Sequence, residues 1–159
     1  HKREMYLLFD YPGYSHNPIE RKIDIRLRNT DGFCEIMLKK KASTGYQARE
    51  EISLSLKENT LDKAKEVVKA FGCKKGLRMI REKVVYEYDG VEWSLVNCPP
   101  KDSKYYEAEI VVENKDEAEE KRKQLVAAAE KIGVKVLDNE QMKEFIYMLD
   151  KEVNKTVEL

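Results

Sequence analysis

The stretch KIDIRLRNTDG, from Lys22 to Gly32, decides the fold of this chain. Its apolar residues Ile23, Ile25 and Leu27 alternate with charged ones, and this alternation is typical of a β-strand with one buried and one polar face. The sequence Asn-Thr-Asp-Gly follows at once, and Asn, Asp and Gly tolerate the positive φ angles that a tight turn requires. The stretch therefore predicts a strand that enters an antiparallel hairpin.

The same alternation recurs along the chain and predicts a sheet-rich fold. A loop that contains Ser43, Thr44 and Gly45 is expected between two of the strands, and an Asp-Gly turn at residues 89–90 joins two others. Two consecutive prolines at residues 99–100 break the chain before the last strand. Besides the first one, the predicted strands cover residues 34–41, 49–56, 77–88, 91–97 and 105–113.

Three amphipathic helices are predicted beside these strands. Thr60 is placed to cap the first helix and Gly72 to end it, and Gly133 ends the second in the same way. Helices with one apolar stripe are expected to cover the apolar face of an antiparallel sheet, so residues 1–159 are predicted to form a single α+β domain. The predicted helices cover residues 61–71, 116–132 and 139–153.

The composition limits the classes of function. Of the 159 residues 38% are charged, but 30 basic residues balance 30 acidic ones, so net charge favours neither a nucleic-acid partner nor a membrane. The lysines at residues 39–41 are split between two faces of a strand and form no basic patch. No stretch is long enough to span a membrane, and three scattered cysteines indicate reduced thiols in a cytoplasmic protein. The oligomeric state stays open between a monomer and a homodimer.

Paired charges mark the polar faces of the predicted strands. The two members of each pair lie two residues apart, so both point to the same side of the sheet. Cations beside cations on neighbouring strands repel one another unless an anion binds between them. The pairs are Arg26 with Arg28, Lys39 with Lys41, Arg49 with Glu51, Arg81 with Lys83, and Glu107 with Glu109.

A barrel made from this sheet would place the charges inside and the helices outside. Because unpaired buried charge is prohibitive, we expect the interior to be a water-filled tunnel for an anionic ligand. A guanidinium group can donate two parallel hydrogen bonds to phosphate oxygens, and a lysine ammonium group acts on phosphate as a point charge. Carboxylates beside phosphates imply a hard cation, Mg²⁺ or Mn²⁺. The competing interpretation is an ordinary sheet whose charged face is only solvated, and it predicts no phosphate affinity.

The order of these motifs resembles that of the CYTH superfamily, the triphosphate tunnel metalloenzymes. The shared pattern is Arg-Leu-Arg, Met-Leu-Lys, Arg-x-Glu, Arg-x-Lys and Glu-Ala-Glu, which begin here at residues 26, 37, 49, 81 and 107. The resemblance implies a metal-dependent phosphohydrolase acting on inorganic triphosphate, thiamine triphosphate or a nucleoside triphosphate. Two alternatives are a class IV adenylyl cyclase that makes cyclic AMP from ATP, and a non-catalytic module that binds polyphosphate or a nucleotide.

The resemblance also implies site residues, with Mg²⁺ or Mn²⁺ as the cofactor and no catalytic residue assigned. Ser53 and Val96 depart from the family pattern, since many members have Glu at the first position and often Asp at the second. The Glu-x-Glu-x-Lys signature of the family's opening strand is absent, and a start at His1 suggests a fragment, a tag remnant or unseen preceding residues. The expected phosphate-binding residues are Arg26, Arg28, Lys39, Lys41, Arg49, Arg81 and Lys83, and the expected metal ligands are Glu51, Glu107 and Glu109.

Overall fold

The computed structural model describes residues 1–41 and 48–159 and has an α+β fold, as predicted. The loop expected at residues 43–45 lies outside the described residues. No helix in the described part of the chain is long and apolar enough to cross a membrane. The elements are β1 (Lys2–Leu8), β2 (Ile23–Thr30), β3 (Phe33–Lys41), β4 (Arg49–Ser55), α1 (Leu61–Ala70), β5 (Lys75–Tyr88), β6 (Val91–Cys98), β7 (Ser103–Glu109), α2 (Ala118–Lys131), α3 (Asn139–Glu152) and β8 (Lys155–Glu158).

The eight strands form one antiparallel sheet in the order β4-β3-β2-β1-β5-β6-β7, with β8 paired to the beginning of β5. Both predicted two-residue turns are present. Asp31 and Asp89 have φ angles of 52° and 55°, and each is followed by a glycine that also has positive φ. The strand predicted to reach residue 113 ends at Glu109 instead, and a short 3-10 turn at Lys115–Glu117 precedes α2.

Two strands were not predicted from the sequence, and there is a physical reason in each case. The central strand β1 pairs with β2 on one side and with β5 on the other. Its residues Met5, Tyr6, Leu7 and Leu8 are all buried, so both of its faces are covered and the polar alternation is lost. The last strand, β8, has only four residues, which is too short for a pattern to be recognised.

Two helices cover the apolar face of the sheet, as predicted. Leu61, Ala64 and Val68 of α1 pack on the first half of the sheet, and Ala128 and Ala129 of α2 pack on the second half. The first helix begins directly after Thr60, but the Thr60 side chain makes no cap hydrogen bond. The buried sheet residues below these helices are Tyr6, Leu8, Leu27, Cys34, Val91 and Trp93.

The third helix differs from the prediction, because it packs on the charged face of the sheet. Val96 pairs with Lys83 on one side and with Tyr105 on the other, so all three side chains share that face. Val96 and Tyr105 interrupt the polar pattern with apolar surface, and Leu149 and Phe145 of α3 cover it. A helix therefore stands on the side of the sheet that was expected to hold only water and ligand.

The sheet is curved but is not closed into a barrel by the described strands. No ladder joins β4 to β7 within residues 1–41 and 48–159. The ion pair between Lys83 on β5 and Glu107 on β7 spans the intervening strand β6, so the sheet curves toward its charged face and forms a groove there.

Candidate anion-binding groove

All ten predicted site residues lie on the inner face of this curved sheet. The strand register decides this, because directly opposed residues in an antiparallel pair point to the same side. Arg3 is opposite Arg81, and Met5 is opposite both Arg28 and Met79, which carries the face across the central strands. The charged groove is defined here by Arg3, Arg26, Arg28, Glu35, Lys39, Lys41, Arg49, Glu51, Arg81, Lys83, Glu107 and Glu109.

Three cations of the groove are held by carboxylates on other strands of the sheet. Arg28 Nε donates to Glu35 Oε1 over 2.6 Å, and Glu35 also accepts a hydrogen bond from the Ser53 hydroxyl. The Lys39 ammonium donates to Glu51, and the Lys83 ammonium donates to Glu107. An incoming anion must therefore compete with these carboxylates for the same donors.

Arg3 stands at the centre of the groove, although sequence analysis missed it because β1 was not recognised. Its Nε donates to Thr30 Oγ1 over 3.1 Å. Burial and the neighbouring Arg28 lower the pKa of Arg3, while Glu107, Glu109 and Glu35 act in the opposite direction. Arg3 is therefore electrostatically coupled to acids on both sides of the groove.

Glu107 lies on the edge strand β7, and its side chain is about one-third exposed. Burial alone would raise its pKa, but Lys83 and the hydroxyl of Tyr105 hold the pKa below its ordinary value. Tyr105 donates to Glu107 Oε1 over 3.1 Å. Its neighbour Glu109 is exposed and makes no ion pair among the described residues.

Lys41 and Arg49 point to the loop between β1 and β2, and their role in phosphate binding stays a prediction. Lys41 Nζ donates to the carbonyl of Ile19 over 2.6 Å. Arg49 donates to the carbonyls of Arg21 and Pro18 over 3.1 and 3.4 Å. Both side chains hold residues 18–21 against the sheet, and they therefore build the groove by fixing its loop.

A buried carboxylate, Asp24, connects the same loop to the groove. Arg21 Nη1 lies 3.2 Å from Asp24 Oδ1, and Arg26 Nη2 lies 2.7 Å from Asp24 Oδ2. Burial would raise the pKa of Asp24, but Arg26 and Arg21 outweigh burial and hold the pKa below its ordinary value. Asp24 thus fixes the position of one predicted phosphate-binding guanidinium.

Arg81 is buried at the foot of α3. Its Nη2 donates to Asn154 Oδ1 over 2.9 Å, and Asn154 in turn donates to Asp150 Oδ1 over 2.7 Å. Burial raises the pKa of Asp150, while Arg21 and Arg81 act in the opposite direction. The end of the chain therefore holds this groove cation in place, which no local sequence pattern indicates.

The predicted metal ligands do not form a metal site among the described residues. No three His, Cys, Asp or Glu side chains in residues 1–41 and 48–159 come together as a ligand set. Glu51 and Glu107 lie on opposite edge strands, and each is engaged by a lysine. The central strand presents Arg3, Met5 and Leu7 to the groove, and a hard cation such as Mg²⁺ requires oxygen ligands.

No family model and no curated protein matches this chain, but solved structures do. PH1819 protein from Pyrococcus horikoshii OT3 superposes with a TM-score of 0.65 at 23% identity, over 92% of this chain and 84% of that one. A conserved hypothetical protein, Pfu-838710-001 from Pyrococcus furiosus, has a TM-score of 0.60 at 18% identity, over 88% and 82%. PH1012 protein from Pyrococcus horikoshii OT3 has 0.59 at 18%, over 84% and 73%. At such identities the likeness shows the fold alone.

Proposed function

We propose that the groove binds a small molecule that carries a linear triphosphate. The observation that carries this proposal is the convergence of cations from four adjacent strands on one concave face. Guanidinium and ammonium groups are the side chains that bind phosphate oxygens most strongly. The converging cations are Arg3 on β1, Arg26 and Arg28 on β2, Lys39 on β3, and Arg81 and Lys83 on β5.

Two lysines of the groove are more buried than the acids that they contact, and this supports an anionic ligand although acids are present. The Lys39 and Lys83 side chains are 16% and 10% exposed, whereas their partners Glu51 and Glu107 are 40% and 34% exposed. The cations therefore form the floor of the groove, and these two acids lie nearer to its rims. A phosphate chain on the floor can replace the carboxylates, which can turn to solvent at small cost because they are already half exposed.

Closure of the groove into a tunnel is part of the proposal. The outer edges of β4 and β7 are unpaired among the described residues, and an open strand edge is a template for a further strand. Leu54 and Tyr106, on the outer face of these two strands, are 62% and 58% exposed, as expected for apolar side chains that an additional strand would cover. A strand laid between the edges would bury them and enclose the ligand.

Hydrolysis of the bound triphosphate is the second candidate, and it is the activity that the CYTH resemblance leads us to expect. The adjacent acids Glu107 and Glu109 favour it, because both face the groove and act on Arg3 at its centre. Since the described carboxylates do not form a metal site, no metal-dependent step is derived from them. Cyclisation of ATP is the remaining alternative.

One assay separates these functions. Tripolyphosphate, thiamine triphosphate and ATP are titrated calorimetrically, first with EDTA and then with Mg²⁺ or Mn²⁺, and the products are resolved by ion-exchange chromatography. Release of orthophosphate identifies a hydrolase, and cyclic AMP with pyrophosphate identifies a cyclase. Binding without turnover identifies a binding module. If none of the three ligands binds under either condition, the charged face is only solvated and the proposal is wrong.

Matched variants test which face binds the ligand. Arg81→Ala and Lys83→Met remove floor cations and should weaken tripolyphosphate binding by about 10-fold or more, the value of one charge-assisted hydrogen bond. Lys40→Ala is the control, because Lys40 is opposite Ile23 and lies on the other face of β3. Equal losses for Lys83→Met and Lys40→Ala would show that the inner face is not the binding surface.

A further inference from the structure

Two arginines stand side by side on the central strands of the charged groove. Arg3 on β1 is directly opposite Arg81 on β5, and opposed residues of an antiparallel pair lie on the same face of the sheet. Like charges in this position repel each other, and Arg28 on the neighbouring strand β2 adds to the repulsion that Arg3 experiences. The pair of Arg3 and Arg81, called the arginine pair here, therefore costs stability unless negative charge offsets it.

The hydrogen-bond partners of the arginine pair are neutral groups. Arg3 Nε donates to the hydroxyl of Thr30 over 3.1 Å. Arg81 donates to the carbonyl of Ile80 over 2.8 Å and to Asn154 Oδ1 over 2.9 Å. Within residues 1–41 and 48–159 neither arginine contacts a carboxylate, although the side chain of Arg81 is buried. The arginine pair therefore keeps its positive charge, whereas other cations of the groove are paired with acids.

The acids on either side of the arginine pair already have donors of their own. Glu35 lies on β3 and Glu107 on β7, and both act on Arg3 without contacting it. Each of these acids uses one carboxylate oxygen for a cation and the other for a hydroxyl group. The donors are Arg28 and Ser53 for Glu35, and Lys83 and Tyr105 for Glu107.

The other acids of the inner face do not make up for this. Asp24 is buried between two arginines, and Glu51 accepts a hydrogen bond from a lysine on β3. Glu109 is in register with Glu92 and Glu87, but the three are exposed, and no such acids come together as a ligand set in the described part of the chain. Mg²⁺ requires closely placed oxygen ligands in nearly octahedral geometry. The donors present therefore do not fit a divalent cation beside the arginine pair.

We infer that the arginine pair supplies the positive charge that the CYTH resemblance leads us to expect from a divalent metal, so the groove binds its phosphate chain as the metal-free anion. This inference rests on the proposed function and narrows the ionic form of its ligand. Two guanidinium groups on one face can bind phosphate oxygens through charge-assisted, bidentate hydrogen bonds. The bound anion offsets the repulsion between Arg3 and Arg81, whereas a metal ion in the same place would add to it.

The metal dependence of tripolyphosphate binding tests the inference on the unmodified protein. Tripolyphosphate is titrated by calorimetry in EDTA and in excess Mg²⁺ or Mn²⁺ at matched ionic strength. The metal complexes the ligand and removes part of its charge, so the affinity should fall by about tenfold, the value of one charge-assisted contact. An affinity in either metal that equals or exceeds the value in EDTA overturns the inference and leaves the proposed function intact. Absence of binding under every condition overturns both.

Mn²⁺ alone provides a test that needs no phosphate ligand. Free Mn²⁺ in solution has a characteristic electron paramagnetic resonance signal, which weakens when a protein binds the ion. Because the carboxylates of the groove are paired with cations or stand apart, the signal should remain unchanged as the protein is added. A saturable loss of the signal overturns the inference, whatever the outcome for tripolyphosphate.

Variants of β1 test the role of Arg3 itself. Arg3→Gln removes the charge and should weaken tripolyphosphate binding in EDTA by about tenfold or more. Lys2→Gln is the matched control, because Lys2 is the neighbour of Arg3 on the same strand, is opposite Glu82 and lies on the other face. Arg3→Lys keeps the charge without the planar fork and should bind better than Arg3→Gln but less tightly than the control. If either Arg3 variant that retains the wild-type circular dichroism spectrum binds as tightly as Lys2→Gln, the inference is wrong.

Discussion

Substitution of Asp24 by Asn should strongly destabilise the protein. The Asp24 side chain is 1% exposed and binds Arg21 and Arg26, whose side chains are 5% and 15% exposed. Asn keeps the shape and can accept a hydrogen bond, but it removes the negative charge that both guanidinium groups contact. Loss of one partner from a buried ion pair typically costs about 3–5 kcal/mol, because the remaining charge is left uncompensated. We expect a value near the lower end, about 3 kcal/mol, because the Asn amide oxygen still accepts one of the two hydrogen bonds.

The loss should depend on pH in a defined direction. The folded-state pKa of Asp24 lies below its ordinary value because Arg26 and Arg21 outweigh burial. A carboxylate with a lowered pKa contributes stability that is fully present above the unfolded pKa of about 3.9 and is lost as the pH falls through the folded pKa. The difference between wild type and Asp24→Asn should therefore be constant near neutrality and shrink below about pH 4.

Urea unfolding followed by far-UV circular dichroism measures this prediction at several pH values. The control is Asp102→Asn, because Asp102 pairs with Lys104 on the surface, where ion pairs contribute little. The control should leave the unfolding midpoint unchanged. If Asp24→Asn is as stable as the control, or if its deficit persists undiminished at acid pH, then Asp24 does not supply the charge that holds Arg21 and Arg26.

Two further substitutions follow from the same contacts. Glu109→Gln removes an acid from the groove without breaking an ion pair of the described residues, so tripolyphosphate binding in EDTA should strengthen. If a metal bridges the acid and the ligand, the same variant should weaken tripolyphosphate binding in Mg²⁺. Calorimetry in EDTA and in Mg²⁺ distinguishes simple charge repulsion from a metal bridge. Asp138→Ala should destabilise the protein by about 1 kcal/mol, because the Asp138 side chain accepts from Gln141 N over 2.8 Å in a capping box. Thr60→Ala is its control in urea unfolding and should cost less, since Thr60 makes no cap hydrogen bond.

Most of the sheet could be predicted from the sequence because strands β2 to β7 have one polar and one apolar face. Alternation located β2 to β7, and the Asp-Gly turns were recognisable from residues that tolerate positive φ. Strand β1 could not be found in this way, because a strand covered on both faces has no polar alternation. The side on which α3 packs was equally hidden, since it depends on Val96 and Tyr105 becoming neighbours across two strands.

In the candidate site, too, the sequence predicts which side chains share a face, and only the tertiary structure shows what those side chains contact. Charges two residues apart placed ten side chains on one face, since that inference needs only the period of a strand. Arg3, Asp24 and Glu35 were missed because their roles arise from partners on other strands or loops. Lys41 and Arg49 share the face with the floor cations, but the loop at residues 18–21 engages them. Periodicity predicts orientation, whereas contacts decide which charges stay available to a ligand.

In two ion pairs of the groove the acid is more exposed than its lysine, whereas Asp24 and Glu35 are buried beside their arginines. Equal numbers of acids and bases give no long-range attraction for polyanions, so affinity must come from contacts inside the groove. There the central strands contribute Arg3, Arg28 and Lys83, and the edge strands contribute Glu51 and Glu107. If the groove binds a phosphate chain as proposed, the exposed acids Glu51 and Glu107 disfavour large polyanions, and a narrow chain reaches Lys39 and Lys83 more easily.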